Sequence, residues 1–501
     1  MDAGELDHGR PSAGHPGGAQ PAALHPAGRR GALAPPAAGK QTGEHMELVN
    51  EREAIRPTLA LACIARPTFA LDYATEAAAR ALAALGSLGW PLLGDAALLM
   101  DAEAARGAAR TLQAGEPDLL VILCATFSDA SMAVELAGRV QAPVCLWGLR
   151  EPGPVGDRLW LNSLCGVNIT SHALQREGHI VRYIYGDPDE PHLLEPLAAM
   201  ACAAAVRNRL RRSRVGLVGQ APVGFYGCQF DELALARVIG TTVSQIDLAT
   251  VFAAAREAPA PAVELAIAST AERSPSLRTI DPPEVKRFGQ TYVVLRDALR
   301  ERDLDGLAVR CWPEFPQTFG LMPCATLGRL ADDGYVCACE ADMHGAVTML
   351  ALQWLAGAAP FLADVVAVDP AENSVTLWHC GNAPACLACE GEEATLTTHC
   401  NRRIGVAGDF AIRPGPATLA RLGVAPEGSY RLLYAGGEVR AASANRFQGN
   451  TAAFRPAGEA RRLLDTMLLG GWEHHVAIVA GDVTGELEVL ARILGIEAVS
   501  V

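Results

Sequence analysis

No apolar run in this chain of 501 residues reaches the roughly 18 residues that a membrane span requires, so no membrane-spanning helix is expected. The N-terminus has no basic segment followed by a continuous apolar one, so no secretion signal is visible. A basic face is missing as well. The formal net charge is −14, whereas nucleic-acid binders concentrate Lys and Arg on one surface, so no nucleic-acid partner is expected. The 14 cysteines show no disulfide framework. Many sit inside apolar strands such as "LALACIA" and "LLVILCA", which fits buried thiols in a reducing, cytoplasmic compartment. The G-x-G-x-x-G spacing of a dinucleotide site is absent too. "GLVGQAPVGF" puts Pro222 where a pyrophosphate would need close backbone approach, so its glycines read as turn residues.

What is present describes a globular protein. Half of the residues are hydrophobic and 20% are charged, and the length calls for two to four domains. Residues 1–55 are rich in Pro, Gly and Ala without helical or strand period and are expected to be disordered, with Met46 a candidate start. From Arg56 the pattern alternates strand and helix: "TLALACIA", "DYATEAAARALAALGSLG", then "DLLVILCATFSDASMAVELAGRV" and "APVCLWG". Such alternation predicts a parallel sheet covered by helices, a first α/β domain over 56–203. After the basic run "VRNRLRRSR" a second cycle begins, giving a second α/β domain over 204–345 with a polar, loop-like stretch at 267–290. Extended patterns dominate afterwards, so 346–501 is expected to be a mainly β domain. The fold class is thus α/β, two doubly wound Rossmann-like domains followed by a mainly β, barrel-like one.

"YVCACEADMHGAVTMLALQWLAG" delivers Glu340 and Asp342 between a short apolar strand and a helix. "PFLAD" and "SVTLWHC" bring Asp364 and His379 to the ends of apolar segments, and "GGWEHHVAIVAGD" adds His474 and His475 after Trp472. Taken singly, Asp364 could cap a turn and His379 could be a satisfied core histidine. Burying several ionisable groups together without a partner costs several kcal/mol each, about the scale that a divalent cation offsets. An imidazole with two carboxylates makes an open O/N site suited to Mn²⁺, with Co²⁺, Fe²⁺ or Zn²⁺ as competitors. A rival zinc site is spelled by Cys386, Cys389, His399 and Cys400, although the adjacent His-Cys pair is sterically awkward for one tetrahedral ion.

The segments "CWPEF", "LADDGYVCACEADMHGAVT", "PFLADVVAVDPAENSVTLWHCGNAP" and "WEHHVAIVAGD" resemble the L-fucose isomerase and L-arabinose isomerase superfamily, its fucose-isomerase-like branch above all. The resemblance implies two α/β domains and a C-terminal β domain, oligomers that are often hexamers, and active sites near subunit interfaces. It implies that Glu340, Asp364 and His475 bind the metal and that Glu340 and Asp364 act as base and acid. His379 matches a further metal ligand of arabinose isomerases, or else binds substrate. His474, Asp342, Glu314 and Trp472 are candidates for further metal or substrate contacts, Asp342 and Glu314 equally well for caps of a turn or helix. Fucose isomerases commonly carry Gly where this chain has Ala341. The implied activity is metal-dependent interconversion of an aldose and a ketose of fucose or arabinose type through an enediolate. The alternative is a non-catalytic sugar-binding or regulatory protein on the same fold.

Overall fold

The computed structural model describes residues 53–153, 158–441 and 447–501. The disordered extension expected over 1–55 falls almost wholly outside the described residues. The described residues all belong to one compact unit, Leu48–Val501, which holds every element discussed below.

Three sheets follow one another along the chain. The first is all parallel, in the order Leu92–Leu93, Leu59–Ile64, Leu119–Cys124, Val144–Gly148, Val181–Tyr185, with Leu98–Leu99 also paired to Leu59–Ile64. Its two central strands are buried at every position, as continuous apolar runs require when helices cover both faces. The second sheet is also parallel, in the order Val336–Ala338, Gly306–Val309, Arg214–Val218, Thr242–Ile246. Its strand order reverses between Arg214–Val218 and Gly306–Val309, and a doubly wound sheet opens its ligand crevice at the carboxyl ends of such a pair. The third sheet closes on itself. Antiparallel pairing runs from Asn450–Pro456 through Ser374–His379, Phe361–Asp369, His475–Ala480 and Gly415–Val424 to Tyr430–Arg440, which pairs back to Asn450–Pro456. The result is a six-stranded barrel, with short strands Phe410–Ala411 and Glu497–Ser500 appended. The α/β class with a separate, mainly β C-terminal region is therefore the observed architecture.

One stretch reads differently. The region 267–290 is mostly helix, formed by Ala260–Arg273 and Pro282–Glu301 around a 3₁₀ turn. Its polar residues are the solvent face; Phe288, Thr291 and Tyr292 supply the buried face, and Pro282 fits the first helical turn. Polarity with proline looked like a loop because the buried face is narrow.

Helix Met343–Ala356 carries the geometry of the site. It is buried along nearly its whole length, because it packs on the second sheet on one side and on the barrel strands Gly415–Val424 and His475–Ala480 on the other. Most of its polar atoms are paired: Thr348 Oγ1 donates to His344 O at 2.7 Å and accepts from Leu422 N at 2.9 Å, and Gln353 Nε2 donates to Gly334 O at 2.8 Å, while Gln353 Oε1 has no partner among the described residues. The boundaries at 203/204 and 345/346 lie inside Leu194–Leu210 and this helix, so the three-domain division, one per sheet, is kept as a proposal.

Candidate active site

The site forms where the last strand of the second sheet meets the barrel. Strand Val336–Ala338 ends, and the backbone turns through two consecutive left-handed residues, Glu340 (φ +59°) and Ala341 (φ +58°), before the central helix begins. Each non-glycine residue in that conformation costs about 1 kcal/mol or more, a strain that concentrates at functional sites. Ala341 N donates to Val309 O at 3.0 Å and Asp342 N to Cys339 O at 3.0 Å, which hold the turn.

Asp342 is the helix N-cap and is fully buried. Its Oδ1 accepts from Gly345 N at 2.8 Å and Arg421 Nη2 at 3.2 Å, and its Oδ2 accepts from Arg421 Nη1 at 2.5 Å and His475 Nδ1 at 2.9 Å. Gly345 is required here, because a Cβ on it would lie 2.5 Å from Asp342 Oδ2. Burial pushes the Asp342 carboxyl up, but Arg421 and His475 outweigh it and hold the group far below the usual carboxylate range. Arg421, also fully buried, approaches Glu473 Oε2 at 3.7 Å, and Glu473 Oε1 accepts from Val424 N at 3.0 Å. Gly423 makes room for that carboxylate, since a Cβ on it would come within 2.3 Å of Glu473 Oε2.

The pairing of His475 with Asp342 decides its tautomer. Nδ1 carries the proton and donates it to the carboxylate, so Nε2 presents a lone pair. That Nε2 is buried without a hydrogen-bond partner, 3.6 Å from Glu340 Oε2 and 3.7 Å from Asp364 Oδ1. Barrel register explains the meeting, because Asp364 and His475 are directly opposite in neighbouring strands. His474 Nε2 lies 3.3 Å from Glu340 Oε2, half exposed. Burial raises Glu340, yet the His474 hydrogen bond and the electrostatic pull of the neighbouring His475 and His379 imidazoles prevail and lower it overall.

His379 stands differently. Its ring centroid is 5.5 Å from that of His475, but its Nδ1 accepts the Cys380 N–H at 2.9 Å. Nε2 therefore carries a proton and is a buried donor with no partner among the described residues. Cys228 closes the site beside Glu340, His474 and His475, and burial, with the Asp342 and Glu340 charges, pushes its thiol up.

The remaining sequence candidates sit apart from the His475 Nε2 position. Glu314 is held by Arg310 in a two-point pair at 2.6 and 2.7 Å and lines a cleft of about 590 Å³ with Gln220 and Asp247. Trp472 lies under the Arg431 guanidinium at 3.9 Å, while Arg431 donates to Gly470 O and Gly471 O, so the indole braces the turn that presents the two histidines. The thiol-rich stretch is arranged otherwise than its spacing suggests. His399 gathers with Cys324 and Cys380, not with Cys386 and Cys389. Sequence reasoning missed Arg421, Cys228 and Glu473; a lone Arg in the apolar strand "TLARLGV" was the available signal for the first. A cavity of about 840 Å³ lies at the amino ends of the first sheet beside Thr58, Asp118 and Arg207, remote from strand carboxyl ends.

His344, on the central helix, hydrogen-bonds Tyr430 Oη at 3.2 Å. Burial first, then the Arg421 charge, brings it from 6.5 down to about 4 against the pull of Asp342. The unfolded chain takes up a proton through that window and the folded chain does not, so about 3 kcal/mol of stability is lost as pH falls from 6.5 to 4. His344→Gln is expected to flatten the slope of melting temperature against pH there. An unchanged slope would assign the acid lability to other groups.

No protein-family model matches the chain. Individual relatives do. A sulfoquinovose isomerase of Alkalicoccus urumqiensis is 36% identical over 390 residues, 77% of this chain and 86% of that protein. Sulfoquinovose isomerases of Priestia aryabhattai (34% over 401 residues, 80% and 89%) and Clostridium sp. (strain MSTE9) (33% over 396 residues, 76% and 86%) align similarly. With the buried acid and imidazole cluster, this defines the class: a sugar isomerase, an intramolecular oxidoreductase that interconverts an aldose and a ketose. The chain belongs to the sulfoquinovose isomerase family.

Proposed function

We propose that this enzyme isomerises a sulfonated aldose, sulfoquinovose or a near relative, to its ketose, using a divalent metal and the chemistry of the fucose isomerase superfamily. The substrate class comes from the relatives' names, and it replaces the fucose or arabinose type that the motifs alone suggest. The observation that carries the metal is His475 Nε2, a buried, unpartnered lone pair between Glu340 and Asp364 with its other nitrogen fixed by Asp342. Glu340, Asp364 and His475 would hold the ion, Mn²⁺ or another divalent metal. A bound divalent ion supplies Lewis-acid polarisation of the sugar carbonyl.

The protein's own groups then account for the proton movements. One carboxylate of the Glu340/Asp364 pair takes the proton from C2, the hydroxyl proton passes from O2 to O1 as the C2 carbonyl forms, and an acid of the pair returns a proton to C1 of the enediolate. His379 Nε2–H, a donor by its tautomer, is assigned to a sugar oxygen in preference to the metal. A non-catalytic role would leave the strained Glu340–Ala341 turn and the paired carboxylates without use.

An oligomer, often a hexamer in the fucose isomerase superfamily, belongs to the same proposal; exposed Trp160, Leu164 and Tyr183 on the first α/β domain are suitable apolar contacts. A cytoplasmic location is assigned on the cysteine usage, and among the described residues no helix is long and apolar enough to cross a membrane.

Metal removal is the direct test. Chelation is expected to abolish turnover and lower the melting temperature, and Mn²⁺ to restore both. His475→Asn should bind Mn²⁺ at least about tenfold more weakly by calorimetry, the scale of losing one imidazole ligand or its support. Full turnover in metal-free enzyme, verified by elemental analysis, would refute the metal.

A further inference from the structure

The groups around the carboxylates do not end at His474. Phe225 meets the His474 ring edge to face at 5.7 Å, and Trp312 meets Phe225 at 5.1 Å. Arg402 lies over Trp312, its guanidinium carbon 5.8 Å from the ring centroid. Phe225 and Trp312 follow the strands Arg214–Val218 and Gly306–Val309, the pair that flanks the reversal of strand order in the second sheet, where doubly wound sheets bind ligands. Both rings are partly exposed, so they form a wall that solvent or ligand reaches.

Arg402 is held there by a built turn. His399 is buried, its Nδ1 accepts from Asn401 N at 3.1 Å and Arg402 N at 3.2 Å, and Arg403 N donates to His399 O at 2.9 Å. The Arg402 side chain faces an aromatic ring and has no carboxylate partner among the described residues. A guanidinium left unpaired in a chain of net charge −14 is available to an anion.

We infer that Arg402 recognises the anionic tail of the substrate, the aromatic pair Phe225 and Trp312 covering the C–H faces between that tail and the reacting carbons. The inference rests on the sulfonated-aldose reading and names the residue that makes it specific. The order of these groups, acids, then rings, then a guanidinium, parallels that of an open-chain sugar that is reactive at C1–C2 and charged at C6. A guanidinium offers a sulfonate two parallel N–H donors, which an ammonium does not.

The test is initial-rate kinetics of the full-length, Mn²⁺-loaded enzyme with sulfoquinovose and with quinovose, the same sugar without the sulfonate, followed as substrate or as competitive inhibitor. Arg402→Met should raise KM for sulfoquinovose at least about tenfold with kcat within about twofold, and leave quinovose unaffected. Arg402→Lys should recover part of the loss, and Arg403→Met should behave as wild type. If wild type prefers sulfoquinovose and Arg402→Met keeps that preference, the residue is wrong and the substrate reading stands. Equal losses on both sugars would show a merely structural turn and overturn the inference. A wild-type enzyme indifferent to the sulfonate would overturn the substrate reading, and the inference with it.

Discussion

Glu340→Gln and Asp364→Asn each lower kcat by at least about a hundredfold at saturating Mn²⁺, the usual scale of general acid–base catalysis. Both replacements keep the shape of the side chain and remove its basicity. Saturation matters because both residues would also hold the ion, and weaker binding would otherwise imitate a chemical defect. Glu340 is the more sensitive of the two: it sits in the left-handed turn, contacts His474 at 3.3 Å, and is held lower than an ordinary glutamate. Activity of either variant within about fivefold of wild type would remove that carboxylate from the proton transfer.

Arg421→Met costs about 3–5 kcal/mol of folding stability, the loss expected when one partner of a buried ion pair is removed. Asp342 then keeps its charge in a fully buried position with only His475 and the helix N-terminus to meet it. His475 also loses its fixed orientation, so Mn²⁺ affinity should fall along with stability. Urea unfolding of wild type and variant measures the first effect, and a change under 1 kcal/mol would mean that the Arg421–Asp342 pair is not needed to compensate burial.

Much of this was legible in the chain. Apolar runs indicated the strand that ends at His379, the one that stops just before Glu340 and the one that carries Asp364, although Phe361–Asp369 continues beyond Asp364; the helical spacing after Asp342 indicated the central helix. Glu340, Asp364 and His475 were legible as a set only through the resemblance to the fucose isomerase superfamily; the chemistry of the segments alone left Asp342, His379 and His474 as further candidates. The roles of their neighbours were not. Asp342 and Glu314 look alike as acids near motifs, yet one is locked between Arg421 and His475 and the other is tied to Arg310 four residues away. Only tertiary structure distinguishes them. The tautomers of His379 and His475 depend on which group faces Nδ1, a backbone amide in one and a carboxylate in the other, and no spacing rule encodes that. Arg402 is set beside Trp312 by a turn some ninety residues away in sequence, so its place in the crevice is a product of the fold.

The central claim is that the proton leaves the sugar and passes through a carboxylate, and isotope exchange tests it most directly. In heavy water, with wild-type enzyme held near equilibrium, deuterium should enter C1 of the ketose and C2 of the aldose progressively, because the base exchanges its proton with solvent. If substrate labelled at C2 instead delivers its label intact to C1 over many turnovers, with no solvent deuterium entering, the transfer is a hydride shift and the acid–base assignment of Glu340 and Asp364 is wrong.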